Sequence, residues 1–271
     1  MPEVAARVLS ITEDSLDISF KELENIIKVD PGLTTKILKI ANSALYARQR
    51  EIKNLQMAIT LLGFKNIKSL VLLVTASNLF LKMQKSAFHK AFWKHSLIVA
   101  FFAKNIAIRC RKNEMAEEVF LSGLLHDIGQ AVFYNYNAEK YLGVLKREEE
   151  NQEPLEKIEK EEYGTDHKEV GAAILKNWNF PDQYSDTALE HDSLNITSVH
   201  KNLIITVTVG DLLAEKLGFG TFTPDKEELY RKILPYTCLK NSDAEYYEKH
   251  FFDELRKDPL FRDCQTLFGV A

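Results

Sequence analysis

Proline and glycine are scarce in this 271-residue chain, 7 and 11 residues respectively. That scarcity excludes collagen-like repeats and low-complexity disorder, and it leaves both residue types as punctuation at element ends. There are only three cysteines, Cys110, Cys238 and Cys264, far apart and without a C-x-x-C pair. An odd number at such spacing predicts reduced thiols in a cytoplasmic protein rather than a disulfide or zinc framework. A basic excess is also missing, since 35 Lys and Arg stand against 39 Asp and Glu for a net charge of −4. Binding to nucleic acid draws much of its affinity from phosphate neutralisation, so nucleic acid is not an expected partner. No apolar run reaches the roughly 20 residues of a membrane span. The most hydrophobic stretch, Ser69 to Leu81, contains Ser77 and Asn78 and reads as a buried helix. The opening MPEVAARVLS lacks the basic-then-apolar order of a secretion signal. A cytoplasmic location without a membrane partner is expected.

What is present is helical periodicity. Apolar residues recur at spacings of three and four almost throughout, and the alternation of a half-buried strand is rare. Asp30-Pro31 reads as a cap plus first helical residue, with Leu33, Ile37, Ile40 and Ala41 falling on one face. Phe180-Pro181, Thr223-Pro224 and Asp258-Pro259 mark further starts. The expected fold class is all-α and two-lobed: an N-terminal helical lobe over 1–85, a second over 86–221, and a helical extension over 222–271. The lobe boundary falls near Met83–Phe88, after a long helix beginning at Lys65. A charged run from Lys146 to Glu162 reads as a solvated helix pair.

Four polar positions resist explanation as packing. His95 shares an apolar stripe with Phe92, Val99, Phe102 and Ile106, where a single histidine is usually a satisfied core residue. His126 and Asp127 sit in FLSGLLHDIGQAVF. Two glycines flank them, and each costs a helix roughly 1 kcal/mol relative to alanine. Their presence suggests that another helix, or a site, lies close against the backbone. Asp211 shares a face with Ile204, Val207 and Ala214, so it is expected buried and in need of a cation, a metal or hydrogen-bond donors. A structural ion pair would also satisfy it. In order these residues read H…HD…D, and imidazole with carboxylate is a donor set suited to Fe, Mn, Zn or Ni. Trp93 and Trp178, each in an apolar helical run, are expected in the core.

Over about Pro2 to Phe219 the chain resembles the HDOD family, the HD-related output domains of bacterial signalling proteins. The likeness rests on IIKVDPGLTTKILKIANSALY and REIKNLQMAITLLGFKNIKSLVL in the first lobe. In the second it rests on FWKHSLIVAFFAKNIA, FLSGLLHDIGQAVF, YGTDHKEVGAAILKNWNFP and ALEHD. The resemblance implies an N-terminal helical bundle followed by an HD-type bundle from about Phe88, and a role in bacterial signal transduction. It also implies a stand-alone or trimmed member, since the opening at Pro2 falls near the family's usual start. Many members have lost the ligands of HD phosphohydrolases. This chain keeps them at His95, His126, Asp127 and Asp211. His167 and His191 resemble two further ligands of the related HD-GYP phosphodiesterases. Plainer roles exist for both: Asp166 and Glu169 make a helix start at His167, and a cation is favoured at the helix C-terminus where His191 lies. The second histidine of the HD-GYP pair is Asp192 here, and DSLNITSVH lacks the GYP motif, which argues against cyclic-di-GMP hydrolysis.

The expected function is therefore regulation through a signalling protein partner or a small nucleotide ligand, with a divalent metal (Fe, Mn, Zn, Ni or Mg) at the cluster. The alternative is a metal-dependent phosphohydrolase acting on a nucleotide or cyclic dinucleotide. Beyond the resemblance, Tyr246, Tyr247, Phe251, Phe252 and Leu255 form an aromatic-rich stripe on a helix expected from Ser242-Asp243 to Lys257. Such a stripe must pack on something: docking on its own lobe is the expectation, and capping the H…HD…D cleft or offering a partner-binding face is the alternative.

Overall fold

The structure, a computed structural model, describes residues 3–11, 16–42, 52–77 and 86–271. Among them every regular element is helical. The first helices are α1 (Glu3–Ser10), α2 (Leu16–Lys28), α3 (Pro31–Ala41), α4 (Leu55–Leu62) and α5 (Phe64–Ser77). There follow α6 (Ala87–Arg109), α7 (Ala116–Leu125), α8 (Ile128–Tyr136), α9 (Ala138–Asn151), α10 (Leu155–Tyr163) and α11 (His167–Asn177). The chain closes with α12 (Asp182–Glu190), α13 (Lys201–Lys216), α14 (Pro224–Ile233), α15 (Asn241–Tyr246), α16 (Phe252–Leu255) and α17 (Pro259–Phe268). The all-α expectation holds.

The helix starts follow local chemistry. Asp30, Asp166, Thr223 and Asp258 each cap the following helix, their side chains accepting from backbone N–H groups of its first turn. Such caps satisfy donors that the helix itself cannot, each worth about 1 kcal/mol. Pro31, Pro224 and Pro259 occupy the first turns, where a missing N–H costs nothing.

The chain forms two compact units, residues 1–81 with Arg256–Ala271, and Lys82–Leu255. In the first, α17 packs on α3 and α5. Leu33, Ile37, Ile40 and Ala41 are buried there as the periodicity required, together with Leu260, Phe261, Cys264 and Phe268 of α17. Residues 222–255 belong to the second unit. Of the expected lobe boundary at Met83–Phe88, the residues Met83 to Lys85 lie outside the described residues, as does most of ANSALY.

The second unit is built around α6, against which α7 and α13 pack. Gly123 makes the approach of α7 possible, because a Cβ there would stand 2.9 Å from the Ala100 Cα. The aromatic stripe docks on the same unit: Tyr247 donates its hydroxyl to Asn105, and Phe251 meets Phe102 edge-on at 4.7 Å. The helix carrying it is broken, however, with a π-turn over Tyr247–Phe251 between α15 and α16.

Three further expectations need correction. Cys110 and Cys238 form a disulfide, with Cα atoms 5.5 Å apart across 128 residues of sequence, and only Cys264 is a free cysteine. Sequence spacing carries no information about this proximity, because packing brings the C-terminal end of α6 to the segment preceding α15. The run Lys146–Glu162 is not wholly solvated, since Glu148 and Glu159 are buried on the inner faces of α9 and α10. Trp93 is fully buried as expected, but Trp178 is only half-buried at the end of α11.

Candidate metal centre

His95 projects from the middle of α6 and Asp211 from α13. His126 and Asp127 do not lie inside one helix. α7 ends at Leu125 with His126 as its cap, and α8 begins after Asp127, whose backbone (φ −96°, ψ 13°) leaves the helical path. The break matters because consecutive residues in a continuous helix diverge by about 100°. Here both side chains reach one cleft. His167 opens α11, and His191 caps the end of α12. The backbone of α8 lies hard against α11, since a Cβ on Gly129 would fall 1.9 Å from the His167 carbonyl oxygen. That contact holds the HD break and His167 in register.

All six side chains meet in the second unit. His95 Nε2 stands 3.2 Å from Asp211 Oδ1 and 3.3 Å from His126 Nε2. His126 Nε2 is 3.6 Å from the same Asp211 oxygen. Asp127 lies between two groups: its Oδ2 is 3.5 Å from His126 Nε2 and 3.7 Å from His95 Nε2. Its Oδ1 is 3.5 Å from His167 Nε2 and 3.4 Å from His191 Nε2. Asp192 joins the second group, with Oδ2 3.6 Å from His191 Nε2. Three sets of donor atoms are each close enough to share an ion: His95–His126–Asp211, His126–Asp127–His191 and His167–His191–Asp192. His126, Asp211, His167 and His191 are at most 2% exposed. The plainer roles of His167 and His191 coexist with membership of the cluster.

The outer partners orient every ring the same way. His95 Nδ1 lies 2.5 Å from the Phe219 carbonyl and His126 Nδ1 2.8 Å from that of Gly123. His191 Nδ1 faces the carbonyls of Thr187 and Ala188 at 3.2 and 3.1 Å. His167 Nδ1 donates to Glu159 Oε2 at 2.6 Å, and Tyr141 donates its hydroxyl to the other Glu159 oxygen. A carbonyl or carboxylate only accepts, so each ring spends its Nδ1 proton outward and turns Nε2 inward. Such outer acceptors fix the tautomer of metal-binding histidines. Glu159 was not singled out by its sequence. Its one signal is a shared face with Leu155 and Ile158, masked by the surrounding charges.

Imidazole nitrogens with inward lone pairs cannot bond each other or the carboxylates without a cation between them. Accordingly, Asp211 Oδ1 is buried yet accepts no hydrogen bond, and Asp192 Oδ1 is in the same position. Without a metal, the facing carboxylates favour a proton in this role. Burial alone would lower the pKa of His126, but Asp127 and Asp211 outweigh it and raise it to about 10. His167 is likewise pulled up to about 9, mainly by Glu159 against the cost of burial. Burial would raise both Asp127 and Asp211, yet the facing imidazolium of His126 holds each well below the ordinary carboxylate range.

A cavity of about 390 Å³ adjoins the cluster, lined by Asp192, Ser193, Asn195, Thr223, Lys226 and others. This volume lies within the range of small-molecule pockets.

A helical bundle that turns histidines and aspartates from successive helices into one cleft is an HD-type fold. The chain belongs to the HDOD domain family, whose model matches residues 1–194. A protein of Treponema pallidum (strain Nichols) without an assigned role is 23% identical over 244 residues, 89% of this chain. The chain spans about half (47%) of that relative's length. Among solved structures, an HDOD domain protein of unknown function from Geobacter sulfurreducens superposes with a TM-score of 0.75 at 22% identity. That match covers 99% of this chain and 92% of the other. A candidate phosphohydrolase from Shewanella amazonensis SB2B gives 0.75 at 20% identity, covering 99% and 94%. Likeness at these identities establishes the fold. No helix among the described residues is long and apolar enough to cross a membrane.

Proposed function

We propose that this chain is a regulatory HDOD protein that holds divalent metal at its His/Asp cluster and acts by binding a small nucleotide ligand or a signalling partner. One observation carries the metal reading: the His95, His126, His167 and His191 rings all direct Nε2 into one cleft beside Asp127, Asp192 and Asp211. The unsatisfied Asp211 Oδ1 fits the same reading, because a buried carboxylate oxygen without a donor is costly unless a cation serves it. His95, His126 and Asp211 would hold one ion and His167, His191 and Asp192 a second, with Asp127 reaching both. Mixed nitrogen and oxygen donors suit Mn, Fe, Zn or Ni better than Mg, which prefers oxygen. When bound, the metal supplies Lewis acidity toward an anionic oxygen of a ligand. The chain's own residues do the rest. Gln130 donates to Asp127 Oδ2 and steadies it, while Glu159 and the carbonyls hold the rings. The adjoining cavity gives a ligand room beside Asp192.

The position of Asp127 between two donor groups favours a second reading, hydrolysis of a phosphate ester, since paired metals clamp phosphoryl oxygens. The phosphohydrolase-like neighbour supports it at the level of fold. Metal analysis of the purified protein, followed by phosphate release from a nucleotide panel, separates the two. Bound metal without release supports the regulatory reading, bound metal with release supports the hydrolase, and inability to take up added metal defeats both.

A further inference from the structure

Behind the cluster stands a cation that is no ligand. Thr223 caps α14 and so places Lys226 on its first turn. The Lys226 ammonium donates to Glu215 Oε1. These side chains are only 17% and 7% exposed. Glu215 lies one helical turn beyond Asp211 on α13, so the pair stands immediately behind a cluster carboxylate. Asp192 and Lys226 line the same cavity. Glu215 Oε2, Asp192 Oδ1 and Asp211 Oδ1 are all buried without a hydrogen-bond donor. The region thus holds more carboxylate than local donors can serve. Burial would lower the pKa of Lys226, but Glu215, Asp192, Asp211 and Glu148 outweigh it and keep the ammonium charged, while burial pushes the Glu215 carboxyl up against the pull of that ammonium.

Lys226 therefore offsets part of the carboxylate charge from the back of the cleft while a divalent ion would offset it from the front. Two cations sharing one set of carboxylates repel each other, and burial weakens the screening that would hide this. We propose that Lys226 is an internal counter-cation of the cluster, a positioning residue that keeps the metal-free site folded and weakens divalent-ion binding so that occupancy is reversible. The inference rests on the metal reading above. Lys226 and Glu215 both lie beyond residues 1–194, the span that the family model matches.

The test is calorimetric titration of MnCl2 into the full chain after EDTA stripping and dialysis. Lys226→Gln keeps a donor for Glu215 but removes the charge, and it should bind Mn²⁺ roughly tenfold more tightly. Lys226→Arg should match the wild type. Glu215→Gln, which leaves the ammonium less compensated, should bind more weakly, and the double variant should return toward the wild type. A purely structural role would weaken binding in Lys226→Gln as well, so the sign decides. Equal or weaker binding by folded Lys226→Gln overturns the inference. Should that variant not fold, Glu215→Gln decides: weaker binding supports the inference and unchanged binding overturns it. Wild type that binds Mn²⁺ with no effect of either substitution defeats this inference alone. Wild type that binds no Mn²⁺ defeats the metal reading and the inference together.

Discussion

At the scale of single residues, the cluster behaves as a charge trap whose cation is exchangeable. His126 faces His95, Asp127 and Asp211 at once, so it is the hub of the first donor group. A metal bound only by the folded state stabilises it by mass action. EDTA is expected to lower the melting temperature of the wild type but not of His126→Ala, as followed by circular dichroism. An equal shift in both proteins would mean a metal-free structural cluster. In the metal-free protein the raised pKa values of His126 and His167 set a second expectation. Groups whose folded pKa exceeds the unfolded value near 6.5 contribute fully below that pH, and the contribution is lost as pH rises through 9 to 10. Burial of Glu148 lifts its carboxyl to about 7, which acts in the same direction because ionisation there penalises the folded state. Stability of the stripped protein should therefore fall between pH 6.5 and 10, measured by urea titration. A flat profile would show that the imidazoles are neutral when folded.

At the scale of elements, the disulfide is the feature with the clearest mechanical consequence. It joins the residue capping the end of α6 to the exposed segment before α15, beside the ion pair of Arg109 with Asp243. α6 carries His95, and the tethered segment follows α14 and Lys226. Closing a loop of this length restrains the unfolded chain by up to about 4–5 kcal/mol on the chain-entropy view. Dithiothreitol, or the double substitution Cys110→Ser and Cys238→Ser, should lower the urea midpoint of the second unit. Core contacts of Tyr247 and Phe251 with α6 remain, so the unit should stay helical. No change in midpoint on reduction would indicate that the loop is already restrained in the unfolded state.

At the scale of the whole molecule, the two compact units call for separate treatment. The last segment, Arg256–Ala271, buries Leu260, Phe261 and Phe268 in the first unit, against α3 and α5. A unit this small has little apolar burial to spare. Ending the chain at Leu255 should therefore lower the melting temperature of the N-terminal unit by many degrees. The EDTA-sensitive transition of residues 82–255 should persist, because every cluster residue lies within them. Loss of that sensitivity on truncation would show that the centre depends on the first unit.

Much of this was legible in the sequence because it is locally encoded. Caps at Asp30, Asp166, Thr223 and Asp258, prolines in first turns and apolar spacing of three and four all act within a few residues. They are enough to specify an all-α chain. The H…HD…D order and the placement of Asp211 on an apolar face were likewise readable, since periodicity alone implies its burial. Tertiary structure decided the rest. The break between α7 and α8 lets adjacent His126 and Asp127 face one cleft, and Asp127 reaches two donor groups only because α11 and α12 bring His167 and His191 to it. Glu159 sits in a charged run and becomes the acceptor for His167 through the packing of α10 beside α11. Cys110 meets Cys238, and Lys226 meets Glu215, across chain distances that no local pattern records. Those pairings depend on which helix ends and faces come together, and long-range packing, not residue spacing, determines that.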